Sequence, residues 1–235
     1  MTLSEISIVF PDGTRRAFYH RPDTSDAAMI RQTFQDRCFD LTTLKRWPEI
    51  QAWSAAHPEP LIVDAGANIG TSAVWFAMMF PGARVVAIEP EASNYRMLET
   101  NTVGLPVGCY QVALTSRPGY ARVYHPKGEP AEGCGHAAFR TEPAESGVTA
   151  AIMSHLMDVG GGSPFLAKID IEGAEADVFA GDCSWVDRFP LLIVELHDWL
   201  YPGEGLSKPF LWAMQHFNRD FIVRGEHVIS IRNPL

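Results

Sequence analysis

The chain has 235 residues, of which 46 % are hydrophobic and 20 % are charged, a composition typical of a globular protein and not of a disordered chain. Its formal net charge is −9 and its Lys and Arg residues form no cluster. A nucleic-acid partner is therefore not expected, because a nucleic-acid-binding face needs concentrated positive charge.

The apolar and turn patterns predict strands that alternate with helices along the chain. Residues 5–20 are predicted as two short strands around the turn PDGT, and 26–37 as a helix. Five further strands are predicted at 60–66, 84–90, 109–115, 165–171 and 190–197. Helices are predicted at 68–80, 91–101, 174–180 and 206–217, before a hairpin over 221–231. This alternation indicates an α/β fold with parallel strands joined by right-handed crossovers.

The length fits a single domain over residues 1–235. We divide it into an N-terminal hairpin and helices (1–58), a first half of the sheet (59–115), a long connection (116–164) and a second half (165–235). The connection is rich in Gly and Pro, and within it 119–126 and 135–140 are candidate strands and 149–158 has helical periodicity. We expect it to cover the substrate, the alternative being an irregular loop without catalytic importance.

Cysteine usage and the first ten residues bear on the cellular compartment. The four cysteines (Cys38, Cys109, Cys134 and Cys183) are scattered and form no C-x-x-C pair, which predicts separate reduced thiols. The first ten residues lack the basic-then-apolar order of a secretion signal, and no apolar run is long enough to span a bilayer. We therefore expect a cytoplasmic protein without a membrane partner.

The sequence VDAGANIG predicts a tight turn at the end of the strand over 60–66. A dinucleotide site would show G-x-G-x-x-G, whereas here Gly66 and Gly70 are four residues apart and Asp64 precedes them. An acidic side chain at this place is unfavourable for a pyrophosphate and favourable for a cationic ligand. The pattern therefore favours S-adenosylmethionine, which carries an ammonium group and a sulfonium.

Each part of this cofactor has a candidate partner in the sequence. Asp64 is predicted to accept a hydrogen bond from the ammonium group, directly or through water, and the helix after Asn68 to receive the carboxylate. Glu89, at the end of the next strand, is predicted to accept from both ribose hydroxyls. The predicted cofactor-binding residues are Asp64, Gly66, Ala67, Asn68, Gly70, Thr71, Glu89, Pro90, Ala113 and Asp170.

The segments VDAGANIGTSAVWFA, VVAIEPEASNYRMLETN and LAKIDIEGAEADVF resemble the corresponding blocks of the FkbM family, class I methyltransferases that use S-adenosylmethionine, and IVELHDW is similar too. The resemblance covers 61–115 and 165–199, is loose over 5–45 and does not extend to 116–164. It implies a Rossmann-like fold with a seven-stranded, mostly parallel sheet in the order 3-2-1-4-5-7-6 and helices on both faces. It also implies methyl transfer, usually to a hydroxyl oxygen of a sugar or natural-product scaffold.

The segment KIDIEGAE carries the second set of candidate residues. On a strand Lys168, Asp170 and Glu172 share one face, and the implied strand order brings Glu195 and His197 to the same rim. These five residues are the predicted catalytic residues. His197 is the candidate base because an unperturbed imidazole titrates near neutrality.

Each of these residues has more than one interpretation. Asp170 and Glu172 are alternatives for hydrogen-bonding the acceptor hydroxyl, and Lys168 either neutralises the acids or holds the acceptor. A structural interpretation of Lys168 is a buried ion pair with Glu172 or Glu195. His197 as a capping or core histidine is equally compatible with the sequence.

A divalent cation is the other cofactor that these residues bring into question. Asp170 and Glu195 offer the hard oxygen ligands that Mg²⁺ prefers. However, no Asp-Asp or Asp-Asn pair follows the strand over 190–197, where the sequence is Glu-Leu-His-Asp. We therefore predict an enzyme that needs no metal.

The leading prediction is an O-methyltransferase acting on a small hydroxylated acceptor such as a sugar or secondary metabolite. N-methylation of a small molecule, a nicotinamide-dependent oxidoreductase and a non-catalytic partner protein are the alternatives. Methylation of nucleic-acid bases is disfavoured, because IDIEGAE stands where an Asn/Asp-Pro-Pro-Tyr/Phe motif is expected. The sequence leaves the acceptor and the oligomeric state open, and a homo-oligomer is compatible with it.

Overall fold

The structure is a computed structural model that describes residues 3–125 and 139–234. The predicted N-terminal hairpin is present as β1 (Ser4–Val9) and β2 (Arg15–His20), which pair antiparallel. The predicted helix over 26–37 is α1 (Asp26–Ile30), continued by a π-helical turn over Arg31–Gln35. A further helix, α2 (Trp47–Ala56), precedes the first buried strand.

The first half of the sheet shows the predicted alternation of strands and helices. Its elements are β3 (Pro60–Ala65), α3 (Thr71–Met79), β4 (Arg84–Ile88), α4 (Ala92–Thr102) and β5 (Val107–Tyr110). The single strand predicted over 109–115 is wrong. It is divided at Gln111 into β5 and β6 (Val112–Leu114), which belong to two different sheets.

The long connection over 116–164 is largely regular structure in its described part. It contains β7 (Gly119–Tyr124), β8 (Arg140–Ala144), β9 (Val148–Ala151) and α5 (Met153–Gly160). The candidate strand over 119–126 is thus present as β7, whereas most of 135–140 lies outside the described residues. Strands β6 to β9 form a second, four-stranded sheet in the order β6-β9-β7-β8.

The second half completes the central sheet. Its elements are β10 (Ser163–Ile169), α6 (Glu175–Ala180), β11 (Leu191–Glu195), α7 (Ser207–Met214), β12 (Arg219–Arg224) and β13 (His227–Arg232). The central sheet has the order β5-β4-β3-β10-β11-β13-β12, which reads 3-2-1-4-5-7-6 when its seven strands are numbered along the chain. Only β13 runs antiparallel to its neighbours. The predicted α/β class with a mostly parallel seven-stranded sheet is confirmed.

Two apolar clusters cover the two faces of this sheet. One joins β3, β4 and β10 to α3, α4 and the N-terminal segment, and the other packs the same strands against α5, α6 and α7. Alternate residues of β3 enter each cluster, Ile62 the first and Val63 the second, because successive side chains of a strand point to opposite faces. The sheet is therefore buried on both faces, as parallel sheets are.

The N-terminal segment is part of the first cluster. The Phe18 ring lies 5.6 Å from that of Phe34, which lies 6.1 Å from the Trp75 ring of α3. Arg21 is 1 % exposed, forms an ion pair with Asp26 at 2.7 Å and donates to Asn94 of α4 at 2.7 Å. A buried guanidinium with all these partners fixes the hairpin to α4, because a buried charge is tolerated only when it is paired.

The glycine turn after β3 needs its glycine for a steric reason. Gly66 has a φ of 76°, and a Cβ there would lie 1.7 Å from the carbonyl oxygen of Asp170, just after β10. The turn is held in place by backbone hydrogen bonds from Gly66 and Ala67 to the Ile88 carbonyl at the end of β4. The ends of β3, β4 and β10 thus meet at this turn. Within the described ranges, no helix has the length and apolarity needed to cross a bilayer.

We predict that Gly66→Ala lowers the free energy of unfolding by about 3–5 kcal/mol, because it combines left-handed strain with overlap against backbone. Gly82 provides a matched control, since its φ is 91° and nothing lies within 4 Å of its Cβ position. Gly82→Ala should therefore cost only about 1–2 kcal/mol. Denaturant unfolding measures both values, and equal losses would contradict the role of the close approach.

Candidate functional site

A cavity of about 240 Å³ lies at the edge of the central sheet where β3, β4, β10 and β11 end. One wall is formed by the turn after β3 and the end of β4. The opposite wall is formed by the residues that follow β10 and β11, and the second sheet contributes Val112–Leu114 and Thr141. Ligands of open α/β sheets bind at such an edge, where the strand order reverses.

Six of the ten predicted cofactor-binding residues line this cavity. They are Gly66, Asn68, Glu89, Pro90, Ala113 and Asp170. The other four do not line it. These are Asp64, Ala67, Gly70 and Thr71.

Glu89 is a nearly buried carboxylate on the first wall. Its Oε2 accepts from the Asn68 backbone N–H at 3.0 Å and its Oε1 from the Glu91 backbone N–H at 2.9 Å. Each carboxylate oxygen keeps a further lone pair, so both can still accept from a ligand. Burial raises the pKa of Glu89 to about 7, although the two backbone N–H groups oppose this shift.

Asp64 lies deeper in the protein than its predicted role requires. Its side chain is fully buried and accepts from the Ser72 hydroxyl at 2.6 Å, and the Lys168 ammonium lies 3.4 Å away. Burial raises the pKa of Asp64, while Lys168 and Ser72 act in the opposite direction. Asp64 is therefore engaged by protein groups, and its contact with a cofactor ammonium group stays a prediction.

Lys168 has different partners from those considered for its ion pair. Its ammonium group donates to the Gly66 carbonyl at 2.7 Å and lies 3.2 Å from Asp170 and 3.4 Å from Asp64. The pairing expected with Glu172 or Glu195 is wrong, because β3 lies directly beside β10 and presents Asp64 opposite Lys168. Burial lowers the pKa of Lys168, but the charges of Asp170 and Asp64 raise it overall. Lys168 is 2 % exposed and does not line the cavity.

The residues that follow β10 reach the cavity through a turn. Strand β10 ends at Ile169, and Glu172 has a φ of 55° and Gly173 a φ of 96°. The expectation that Asp170 and Glu172 share a strand face with Lys168 is therefore wrong, since the extended backbone ends before Asp170. Both acids nevertheless line the cavity, because the turn folds Glu172 back towards it.

His197 lies on the second wall in a short 3₁₀ turn over His197–Trp199, just after β11. Its Nδ1 lies 3.0 Å from Oε1 of Glu175, which also accepts from the His197 backbone N–H at 3.1 Å. Burial lowers the pKa of His197, but the Glu175 hydrogen bond and the charges of Asp170 and Glu172 raise it to about 9. The imidazole is therefore protonated near neutrality, which removes the reason for which it was predicted as the base.

Glu195, the last residue of β11, is the other acid on this wall. Its Oε1 lies 3.6 Å from Nε2 of His197, and its Oε2 lies 3.5 Å from Nε2 of His227. Burial and the charge of Asp170 raise the pKa of Glu195 to about 8. Asp170 behaves in the opposite way, because Lys168 and His197 lower its pKa in spite of burial. Asp170 is therefore the ionised acid of the pair near neutrality.

The structure adds residues that the sequence argument did not select. Glu175 is fully buried and fixes His197 in place. It also accepts a hydrogen bond from the Gly173 backbone N–H at 2.8 Å. Glu226, in the turn between β12 and β13, lines the cavity, and His227 reaches Glu195. The sequence KIDIEGAE contains Glu175, but only the packing of α6 against the end of β11 gives it a role.

Aromatic residues contribute to the outer rim of the cavity. Trp199 is 58 % exposed and lines the cavity together with Phe139, which precedes β8. Trp75, in contrast, is buried in the core. Cys134 lies outside the described residues. Cys38, Cys109 and Cys183 are free thiols, as predicted.

Comparison with known proteins gives relatives that match only part of this chain. The sequence is 28 % identical over 90 residues to the methyltransferase sdnD of Sordaria araneosa, covering 38 % of this chain and 30 % of that protein. It is 30 % identical over 124 residues to the AMB antimetabolite synthetase AmbE of Pseudomonas aeruginosa, covering 48 % of this chain and 5 % of that protein. The match thus spans less than a third of either relative.

Solved structures show a weak likeness to this fold. The fibrillarin pre-rRNA processing protein of Methanococcus jannaschii is similar with a TM-score of 0.46 and 13 % identity, covering 97 % of this chain and 81 % of that one. The family of the chain is shown by its sequence and not by these structures. The family model of the methyltransferase FkbM domain matches residues 64–223, which run from the end of β3 into β12 and make up more than half of the chain. The chain therefore belongs to the FkbM family of methyltransferases.

Proposed function

We propose that this protein transfers a methyl group from S-adenosylmethionine to a hydroxyl oxygen of a small acceptor, such as a sugar or a secondary metabolite. The observation that carries the proposal is one cavity with two chemically different walls. Glu89 and the glycine turn form the first wall, and Asp170, Glu172 and His197 form the second. Membership in a methyltransferase family supports the reaction type.

The first wall has the properties that S-adenosylmethionine requires. Gly66 presents backbone without a side chain, and Glu89 can accept two further hydrogen bonds, one for each ribose hydroxyl. The cofactor supplies a methyl group on a positively charged sulfur. Asp170 lies where the two walls meet and is ionised near neutrality. Its negative charge would favour a positively charged sulfur in the cavity.

The second wall has the properties that a hydroxylated acceptor requires. Asp170 and Glu172 offer carboxylate oxygens that accept from a hydroxyl group, and Glu195 and Glu226 are two further acids that line the cavity. The half-exposed indole of Trp199 offers a flat apolar surface on which a sugar ring can stack. Acids and aromatics together favour acceptors rich in hydrogen-bond donors and disfavour anionic ones.

The chain accelerates such a transfer chiefly by alignment. An in-line displacement at a methyl group needs the acceptor oxygen held behind that group and water kept out. Lys168 and Glu175 hold Asp170 and His197 in place from within the protein, so both polar groups have fixed positions. The second sheet closes the cavity with Val112–Leu114 and Thr141.

The direct test is ligand binding measured by thermal unfolding. S-adenosylhomocysteine at a hundredfold excess over its dissociation constant should stabilise the protein by about 2.7 kcal/mol, seen as a clear rise in melting temperature. NADH at the same concentration should produce no rise, because the turn lacks a pyrophosphate site. A rise with NADH and none with S-adenosylhomocysteine would assign the cavity to an oxidoreductase instead.

Cofactor affinity should depend on pH through Glu89. Since burial raises its pKa to about 7, Glu89 is protonated below that pH and accepts ribose hydroxyls poorly. We therefore predict that S-adenosylhomocysteine affinity, measured by calorimetry, rises as pH increases from 6 to 8. Glu89→Gln should weaken binding about tenfold to a hundredfold and remove this rise, whereas Glu99→Gln, at an exposed acid of α4, should change neither. An unchanged pH dependence in Glu89→Gln would exclude Glu89 as the ribose partner.

Substitutions in the two walls should affect different steps, namely cofactor binding for the first wall and turnover for the second. Glu172→Gln removes a carboxylate from the acceptor wall without altering the turn after β3, so we expect cofactor affinity within twofold of the original. Turnover with an accepted substrate should fall at least tenfold, because one hydrogen bond to the acceptor is weakened by about 1.5 kcal/mol or more. A parallel loss of cofactor affinity would contradict this division.

A further inference from the structure

Nε2 of His197 is surrounded by carboxylate oxygens and hydrogen-bonded to none of them. It lies 3.6 Å from Oδ1 of Asp170, 3.5 Å from Oε2 of Glu172 and 3.6 Å from Oε1 of Glu195. These distances are too long for side-chain hydrogen bonds. The side chain is 1 % exposed, and its Nε2 is directed at this group of acids.

The other ring nitrogen fixes the orientation of His197. Nδ1 lies 3.0 Å from Oε1 of Glu175, whose Oε2 accepts from the Gly173 backbone N–H. A histidine whose Nδ1 is held by a carboxylate has its Nε2 directed away from that carboxylate. Metal-bound histidines typically show this arrangement, with a carboxylate on the opposite ring nitrogen.

We propose that His197, Asp170 and Glu172 bind a divalent transition-metal ion, Zn²⁺ or Mn²⁺, at the acceptor side of the cavity. Their candidate ligand atoms all lie within 4.8 Å of one another. A tetrahedral ion with bonds of about 2.0–2.2 Å separates its ligand atoms by about 3.3–3.6 Å. The separations of 3.5 and 3.6 Å from Nε2 match that spacing. One imidazole with two carboxylates suits Zn²⁺ or Mn²⁺ better than an all-oxygen set would.

The surrounding charge favours a cation at this position. The connected group around the site contains the acids Asp64, Asp170, Glu172 and Glu175, besides Glu195, which keeps its proton near neutrality. The positively charged residues in contact with them are Lys168 and His197. A divalent ion at this position would compensate the excess of these acids over the two positively charged residues.

A second triad of candidate ligands shares Asp170 and adds Glu195 and His227. The first triad is favoured for two reasons. Its three residues all line the cavity, whereas His227 does not. Its histidine is also held at Nδ1 by Glu175, whereas among the described residues no ion pair joins Nδ1 of His227 to a carboxylate.

The role of the ion rests on the proposed function. A bound divalent ion lowers the pKa of an oxygen ligand, so it would help an acceptor hydroxyl lose its proton. The prediction of a metal-independent enzyme relied on the missing Asp-Asp or Asp-Asn pair after β11. The site proposed here takes Glu172 from the turn after β10 and His197 from the 3₁₀ turn after β11, which that pattern does not describe.

The experiment is a metal titration of the complete chain after treatment with EDTA. Mn²⁺ binding is followed by electron paramagnetic resonance of the free ion, and Zn²⁺ binding by calorimetry, on the original protein and on His197→Gln, Glu172→Gln and His227→Gln. His216→Gln, at an exposed histidine, is the control. We expect one ion per chain, with affinity reduced at least tenfold in His197→Gln and Glu172→Gln and unchanged in His216→Gln.

Three results would overturn the proposal. They are no binding at millimolar metal, equal affinity in all variants, and a loss restricted to His227→Gln, which would select the second triad. S-adenosylhomocysteine binding is measured on the same samples by thermal unfolding. Retained cofactor binding with no metal binding refutes the metal site alone, whereas lost cofactor binding in the original protein refutes the proposed function. Glu172→Gln changes a partly exposed turn residue, so its folding keeps the test valid even if His197→Gln unfolds.

Discussion

The cavity depends on one buried ammonium group. Lys168 of β10 contacts Asp64 of β3, Asp170 after β10 and the Gly66 carbonyl in the turn between them. These three groups are negative or carry partial negative charge, and the Asp64 side chain is fully buried. Without the ammonium, Asp64 would be a buried unpaired charge, which typically costs several kcal/mol. The ion pair therefore holds two parallel strand ends at the separation that the cavity needs.

The same network explains why neighbouring acids differ in charge. Asp170 contacts Lys168 and stays ionised, whereas Glu195 is farther from that ammonium and retains its proton to a pH of about 8. Glu175 fixes His197 from behind, so the imidazole cannot turn away from the acids. Both acids lie 3.6 Å from Nε2 of His197, so the distance from Lys168 decides which of them is ionised.

The sequence was sufficient for the fold class and for the sheet edge at which the cavity lies. Apolar runs bounded by Gly and Pro located the buried strands, and the glycine turn located the cavity edge, because both are local signals. The partners of Lys168, the pKa of His197 and the role of Glu175 were not predictable in this way. Each depends on which strands lie side by side and on how α6 packs, and these contacts join residues distant in sequence. The strand predicted over 109–115 failed for the same reason, since an apolar run does not indicate in which sheet it pairs.

The division of that run at Gln111 has a consequence for how such an enzyme diversifies. The first half of the central sheet ends at Tyr110 and the second sheet begins at Val112, so a single residue separates the two sheets. Because Val112–Leu114 face the cavity from the second sheet, changes along β7 to β9 can reshape the space offered to an acceptor. The ion pair beneath the glycine turn lies outside that region. Under the proposed function, changes in the second sheet could therefore alter the space for an acceptor without disturbing that ion pair.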